Sequence, residues 1–280
     1  MSERALTVAE ALRAAGERLA ATSDTARLDA ELLMAHALGT SRSAMLLGAM
    51  RDPVPAGFEG LIARRAAHEP VAYIVGEQEF YGRPFRVSPA VLIPRADSET
   101  TVAAALEAAP AARRVLDCGT GSGALLLTVL AEVPETVGVG VDRSPEALAV
   151  ARSNAEALGL AARVAWREAD WTASGWSRGL DLFDLIIANP PYVEEAARLS
   201  PDVRAHEPPG ALFAGPDGLS DYRALVPQLP ALLADGGAAV LEIGHRQAEP
   251  VASIASAAGF VPDLRHDLAG RPRALILRRT

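Results

Sequence analysis

Apolar residues in the first part of the chain recur at the three- to four-residue spacing of amphipathic helices. Over residues 1–70 this spacing predicts a small bundle of four helices. We expect Asp24 to cap the second helix and Ser41 or Ser43 to cap the third. The apolar positions behind the prediction are Val8, Leu12 and Leu19, then Leu28, Leu32, Leu33 and Ala35, and finally Phe58, Leu61 and Ile62.

The pattern changes to the alternation of strands between residues 71 and 94. A turn at Tyr81–Pro84 separates two short apolar segments, which predicts a β-hairpin. We expect this hairpin to link the helical domain to a larger domain over residues 95–280. Near the start of that domain, Asp97 or Ser98 is expected to cap a helix. The charged residues around this cap are expected either to face a ligand pocket or to lie in solvent, and the sequence leaves both alternatives open.

Residues 95–280 alternate strand-like and helix-like segments, which predicts a doubly wound α/β domain. The last two strand-like segments are expected to form an antiparallel pair at the sheet edge. The Pro-rich residues 193–218 predict a long loop of the kind that often forms a lid, and residues 219–234 predict a helix. The strand-like segments cover residues 114–118, 137–141, 163–167, 182–188, 238–243, 260–267 and 273–278.

The composition is that of a globular protein, with 50% hydrophobic residues and no apolar run long enough to cross a membrane. Residues 1–20 mix acids with arginines and lack the apolar core of a signal peptide, so we expect a cytoplasmic protein. The single cysteine, Cys118, excludes an intrachain disulfide and a Cys-rich zinc site. A net charge of −8 argues against a broad nucleic-acid-binding surface.

A glycine-rich loop, Gly119-Thr120-Gly121-Ser122-Gly123, follows one predicted strand and opens a helix. Glycines permit positive φ and close approach of a ligand, and the helix start offers free N–H groups. Asp142 ends the next strand, where it can accept both hydroxyls of a ribose. With Ala124 the loop also matches the dinucleotide pattern, so an adenosine-type methyl donor and a nicotinamide dinucleotide are both candidate ligands.

Asn189-Pro190-Pro191-Tyr192 ends the fourth strand of the α/β domain, at the edge where open α/β sheets bind ligands. Asn189 carries an amide, the two prolines hold the backbone extended, and Tyr192 adds a flat ring. Together these groups can hold a planar group that carries an NH2. They favour methyl transfer over hydride transfer, and Trp171 after the third strand suits an adenine wall.

An amide nitrogen is a poor nucleophile because its lone pair is delocalised into the carbonyl. Acceptors on both of its hydrogens, from the Asn189 side chain and the Pro190 carbonyl, can favour a more localised lone pair that points at a sulfonium methyl. Positioning is then expected to dominate the rate, and no metal is required. We expect His206 and Glu207 to be surface or lid residues rather than a catalytic dyad.

These motifs resemble the protein-(glutamine-N5) methyltransferases of peptide chain release factors, the HemK/PrmC family. The resemblance covers nearly the whole chain, and its departures are Ala96 where proline is usual and Cys118 where leucine is common. It implies a seven-stranded Rossmann-like class I methyltransferase sheet with a small N-terminal helical domain. The matching segments are residues 76–82, 92–95, 117–123, 141–142, 189–192, 216–218 and 241–244.

The resemblance also implies a cofactor, S-adenosyl-L-methionine, and an acceptor, the glutamine of the Gly-Gly-Gln motif of a release factor. Asp142 would bind the ribose of the cofactor, Trp171 would lie at its adenine, and Asn189 would touch both cofactor and acceptor. The implied cofactor site further includes Gly119, Thr120, Gly121, Ser122 and Gly123. The implied acceptor site is Asn189, Pro190, Pro191 and Tyr192, with Asn189, Pro190 and Tyr192 as the catalytic set.

Residues 1–70 are expected to dock the macromolecular substrate, and the protein is expected to be a monomer without membrane or direct nucleic-acid partners. Adenine-N6 methyltransferases of DNA or RNA share the Asn-Pro-Pro-Tyr motif, but the acidic balance of this chain disfavours them. A glutamine in a ribosomal protein is an acceptor that the sequence does not exclude. A cofactor-binding scaffold without activity would predict a degraded site, whereas every motif position is intact.

Overall fold

The chain forms two compact units in the computed structural model, which describes residues 6–280. One unit comprises Met1–Glu77 with Leu199–His206, and the other comprises Gln78–Arg198 with Glu207–Thr280. The first five residues of the predicted helical domain lie outside the described residues. No helix within residues 6–280 combines the length and apolar character that crossing a membrane requires.

The first unit is helical and is organised around a small apolar core. Thr7 and Glu10 form a reciprocal capping box at the start of its first helix, and Ser41 caps the third. In the described part, its helices are α1 Val8–Leu19, α2 Ala26–Ala37, α3 Arg42–Ala44 followed by a π-helical turn at Met45–Ala49, α4 Phe58–Ala66, α5 Val71–Val75 and a later helix at Pro201–His206.

Two details of this unit differ from the sequence-based prediction. Helix α2 starts at Ala26 after Thr25 and receives no side-chain cap, because the Asp24 predicted for that role lies one residue too early. Leu28 and Leu32 of α2 are 41% and 37% exposed, whereas Leu33 is fully buried. The buried face of α2 therefore lies to one side of the predicted face.

The segment Val71–Val75 is a short helix, not the strand that its β-branched residues predicted. Pro70 precedes it as N-cap, and Gly76 ends it with a φ of +84°, which favours glycine. The predicted hairpin is confirmed, with β1 at Glu77–Phe80 and β2 at Arg83–Arg86. Within the second unit, Asn154 holds this hairpin, since it accepts from the Arg86 N–H at 2.8 Å and donates to the Arg86 carbonyl at 3.0 Å.

The second unit contains the predicted seven-stranded sheet, with strands in the order β5-β4-β3-β6-β7-β9-β8. Strands β3 to β7 are parallel, and β9 and β8 are antiparallel at one edge, which confirms the predicted edge pair. The strands are β3 Arg114–Cys118, β4 Val137–Asp142, β5 Val164–Glu168, β6 Phe183–Ala188, β7 Leu233–Glu242, β8 Phe260–His266 and β9 Pro272–Arg279.

Apolar clusters cover both faces of this sheet, as expected for a doubly wound fold.

The predicted helix over residues 219–234 is wrong in its second half, because Pro227 and Pro230 convert it to a 3-10 helix at Val226–Ala231. The α-helices of this unit are α6 Glu99–Ala108, α7 Ala124–Glu132, α8 Pro145–Ala157, α10 Ser220–Leu225 and α11 Ala248–Ala257, where α9 is the helix Pro201–His206 of the first unit. Ser98 lies in a 3-10 turn before α6, and neither it nor Asp97 makes the predicted side-chain cap.

Candidate active site

A cavity of about 320 Å³ opens at the carboxyl edge of the sheet, where β4 and β6 flank β3. Cys118, the last residue of β3, pairs with Val141 on one side and with Ala188 on the other. The residues that follow these three strand ends are therefore neighbours. This is the topological switch point of a doubly wound sheet, where the strand order reverses and ligands usually bind.

The predicted cofactor residues converge on this cavity, with one exception. Gly123 lies behind the wall as the N-cap of α7, with a φ of +82°. The positive φ favours glycine there, and a Cβ would lie 2.9 Å from the Cδ1 atom of Leu127, so this glycine serves the turn and its packing rather than ligand contact. The predicted cofactor residues that line the cavity are Gly119, Thr120, Gly121, Ser122, Asp142, Trp171 and Asn189.

Hydrogen bonds hold the glycine loop in place against the end of β4. The Gly119 and Thr120 N–H groups donate to the Val141 carbonyl at 2.8 and 2.9 Å. The Gly121 N–H donates to Oδ2 of Asp142 at 2.9 Å, while Oδ1 accepts from the Ser144 N–H at 3.0 Å. Both oxygens of Asp142 are thus oriented by backbone donors and retain lone pairs for further hydrogen bonds.

Asp117 supports the loop from below. Its Oδ2 atom accepts from the Thr120 hydroxyl at 2.6 Å, and its buried Oδ1 atom has no hydrogen-bond partner in the described structure. Burial, together with the nearby charge of Asp142, raises the pKa of Asp117 to about 7. Asp117 does not line the cavity itself, so it acts on the site by holding the Thr120 hydroxyl of the loop.

Trp171 forms a wall beside Gly119. A Cβ at Gly119, where φ is +78°, would lie 3.0 Å from the Cη2 atom of this ring. The Trp171 indole N–H donates to Oδ1 of Asp221 at 3.1 Å, and its carbonyl accepts from Nε2 of Gln228 at 2.9 Å. Asp221 therefore fixes the Trp171 ring, and Gln228 fixes the Trp171 main chain. Sequence patterns identified neither residue, because both lie far away along the chain.

The tip Asn189-Pro190-Pro191-Tyr192 contributes two of its four residues to the cavity wall. Asn189 and Pro191 line the cavity, whereas Pro190 and Tyr192 do not. Tyr192 is half-buried, and desolvation raises its pKa to about 12, so its hydroxyl stays protonated at neutral pH. The predicted roles of the Pro190 carbonyl and the Tyr192 ring towards an acceptor stay predictions.

Glu207 is not the surface or lid residue that the sequence predicted. Its carboxylate is almost completely buried, forms an ion pair with Arg95 and accepts from the Ile93 N–H at 3.4 Å. Arg95 itself lines the cavity, so this pair fixes part of the wall. Because the two residues lie far apart in sequence, no local pattern could have linked them.

A second polar contact closes the same wall. Arg143, which follows Asp142, donates through Nη2 to the Gly210 carbonyl at 2.6 Å. Both residues line the cavity, and a Cβ at Gly210 would lie 2.4 Å from the Arg143 guanidinium.

Among residues 6–280 no three His, Cys, Asp or Glu side chains form a group that could hold a metal ion.

Comparison with known families accounts for both parts of the chain. Residues 10–76 match the PrmC N-terminal domain, and residues 95–204 match the methyltransferase small domain. The solved structure of an O-methyltransferase family protein from Burkholderia thailandensis superposes with a TM-score of 0.51 at 16% identity, over 92% of this chain and 96% of that one. At this identity the likeness shows the fold alone, and it confirms the predicted class I methyltransferase architecture.

Two relatives match over almost their whole length. The release factor glutamine methyltransferase of Cereibacter sphaeroides is 46% identical, over 96% of this chain and 98% of its own. The protein of the same name from Moorella thermoacetica is 43% identical, over 98% of this chain and 99% of its own. The resemblance found from the motifs is thus confirmed by the whole sequence: the chain belongs to the release factor glutamine methyltransferase family.

Proposed function

We propose that this protein transfers a methyl group from S-adenosyl-L-methionine to the side-chain amide nitrogen of the glutamine in the Gly-Gly-Gln motif of a peptide chain release factor. One observation carries the proposal. Asn189 and Pro191 line the same cavity as the glycine loop and Asp142, so a planar amide and an adenosine-type ligand can meet there. Methylation of this glutamine would act on translation termination.

The cofactor supplies an activated methyl group on a positively charged sulfur. The proposed role of Asp142 is to accept the ribose hydroxyls, and its carboxylate is already oriented by Gly121 and Ser144. Trp171 would face the adenine with an apolar ring whose position Asp221 fixes. Gly119, Thr120, Gly121 and Ser122 would line the remainder of the cofactor site, and Gly123 would hold the loop from behind.

The acceptor amide is held by the strand tip in this proposal. The Asn189 side-chain oxygen and the Pro190 carbonyl would each accept one of its two hydrogens, which localises the nitrogen lone pair. The amide nitrogen then forms its bond to the methyl carbon as the carbon–sulfur bond breaks, and it loses one proton afterwards. Pro191 shapes the wall, and the Tyr192 ring would pack against the planar amide. Orientation supplies most of the catalysis because the methyl group is already activated.

The helical unit is proposed as the docking module for the release factor. Its α2 helix exposes Leu28 and Leu32, one turn apart on one face, although the unit has a buried core of its own. We further propose a cytoplasmic monomer without membrane or direct nucleic-acid partners. The net charge of −8 supports the absence of a nucleic-acid partner.

Mass spectrometry of a release factor incubated with the protein and methyl-labelled cofactor tests the proposal. We expect one added methyl group on the glutamine of the Gly-Gly-Gln motif. A release factor with asparagine in place of that glutamine is the matched control and should stay unlabelled. Label on adenine in added DNA or RNA, or on a ribosomal protein but not on the release factor, would refute the proposed acceptor.

A further inference from the structure

Gln247 precedes helix α11, and its side-chain amide joins three separate backbone segments around the Asn189–Tyr192 tip. Its Nε2 group donates to the Tyr192 carbonyl at 3.0 Å and to the Gly218 carbonyl at 3.2 Å. Its Oε1 atom accepts from the Gly244 N–H at 3.1 Å. One half-buried amide therefore uses both its donor and its acceptor group to tie together three loops at the carboxyl edge of the sheet.

Gly218 and Gly244 are packed closely around Tyr192. A Cβ at Gly218, where φ is +68°, would lie 2.3 Å from the Tyr192 carbonyl oxygen and 2.8 Å from Nε2 of Gln247. A Cβ at Gly244 would lie 3.4 Å from the Cδ2 atom of the Tyr192 ring. Gln247 thus holds the Tyr192 carbonyl directly and also holds the Gly244 backbone beside the Tyr192 ring.

We propose that Gln247 is a positioning residue for methyl transfer, which fixes the main chain and the ring of Tyr192 and thereby orients the acceptor amide. Gln247 lies outside the described cavity lining, so it acts through Tyr192 and not on the reacting atoms. The inference rests on the proposed function, because it assigns Tyr192 to the acceptor. Near-attack geometry is sensitive to displacements of about 1 Å, so a small shift of the tip is sufficient to slow transfer.

Two substitutions at this position separate its donor and acceptor roles. Gln247→Met keeps the length of the side chain and removes all three hydrogen bonds, whereas Gln247→Glu keeps an acceptor for Gly244 and removes the donor to both carbonyls. With a Gly-Gly-Gln peptide as acceptor, we expect each variant to lower kcat by about tenfold to a hundredfold. The KM for the methyl donor should stay within about twofold of the wild-type value, because the glycine loop and Asp142 are untouched.

Gly218→Ala offers an independent route to the same effect, since its new methyl group would press on the Tyr192 carbonyl. We expect it to lower kcat like Gln247→Met. Leu130→Ala is the matched control, because Leu130 is a fully buried residue of α7 in the apolar cluster that does not include the Tyr192 ring. It should lower the melting temperature and leave kcat unchanged.

The outcomes distinguish positioning from general stability. Loss of kcat in the Gln247 variants without a matching loss of thermal stability supports the inference. Wild-type turnover by Gln247→Glu overturns it. A loss of kcat in the Gln247 variants that only parallels their loss of melting temperature also overturns it. A wild-type protein that leaves the peptide glutamine unmethylated overturns the proposed function as well, so the two failures are separable.

Discussion

The backbone N–H of Gly121 donates to Oδ2 of Asp142 at 2.9 Å, so the glycine loop after β3 and the acid after β4 form one connected unit. This bond brings the two predicted halves of a cofactor site into contact. It also orients the carboxylate before any ligand binds. Preorganisation of this kind lowers the entropic cost of holding a ligand.

Asp142→Asn is expected to weaken cofactor binding more than turnover. The substitution keeps the size of the side chain but removes the charge that strengthens hydrogen bonds to ribose hydroxyls, at a cost of about 1–2 kcal/mol. We expect the Kd for S-adenosyl-L-methionine, measured by calorimetry, to rise about tenfold. Asp181→Asn is the control, because Asp181 pairs with Arg114 at the opposite end of β3. Equal affinity in Asp142→Asn and wild type would contradict the assigned role.

Asn189→Ala is expected to abolish methyl transfer while cofactor binding largely survives. The alanine removes the acceptor that holds one hydrogen of the glutamine amide, so the nitrogen is no longer oriented towards the methyl group. Loss of one oriented hydrogen-bonding group in an active site typically costs about a hundredfold or more in kcat. Single-turnover assays with labelled cofactor measure the effect. Transfer at the wild-type rate would eliminate Asn189 as a catalytic residue.

Arg95→Met is expected to destabilise the second unit, because it leaves the buried Glu207 carboxylate without its cation. Since the Arg95 side chain is 39% exposed, solvent reduces the penalty, and we expect about 2 kcal/mol in the free energy of unfolding. The double variant Arg95→Met/Glu207→Gln should recover part of that loss in chemical denaturation. If the double variant is as unstable as the sum of the singles, the pairing is energetically irrelevant.

Glu242 predicts a pH-dependent stability. Burial at the end of β7 raises its pKa from 4.5 to about 7, so the folded state retains a proton that the unfolded state releases. The contribution of Glu242 to the free energy of unfolding should therefore be largest below about pH 4.5. It should decrease by roughly 3 kcal/mol as the pH rises to about 7.

Glu242→Gln keeps the neutral hydrogen-bonding shape and removes this titration. We expect its denaturation midpoints to decline less than those of wild type across the same pH range. The Thr101 hydroxyl, which donates to Oε2 of Glu242 at 3.2 Å, can donate equally to the glutamine oxygen. Parallel pH profiles for the two proteins would show that Glu242 titrates normally.

Leu28→Ser/Leu32→Ser tests the docking role of the helical unit. Both leucines are exposed on one face of α2, so we expect a small change in stability. The KM for an intact release factor should rise severalfold, and the KM for a short Gly-Gly-Gln peptide should stay unchanged. Leu268→Ser, at a fully exposed leucine of the second unit, is the control. Equal effects on protein and peptide substrates would argue against docking through α2.

Local patterns were sufficient wherever one segment carried the whole signal. Strands β3, β4 and β6 begin and end within a residue of the predicted positions, because short apolar runs were bounded by glycine, an acid or proline. The hairpin and the antiparallel edge pair were likewise predicted. Val71–Val75 was misassigned because its β-branched composition outweighed Pro70 and Gly76, which enclose a single helical turn.

The sequence by itself determined the strand ends, the glycine loop, Asp142 and the Asn189–Tyr192 tip, because each is encoded by neighbouring residues. Only the tertiary structure decided that Glu207 pairs with Arg95, that Asp221 holds Trp171 and that Gln247 holds Tyr192. Polar pairs of this kind depend on which strand ends become neighbours in the sheet. Strand order is set by the packing of the whole unit. The residues that it brings together therefore show no periodic sequence pattern that would predict their pairing.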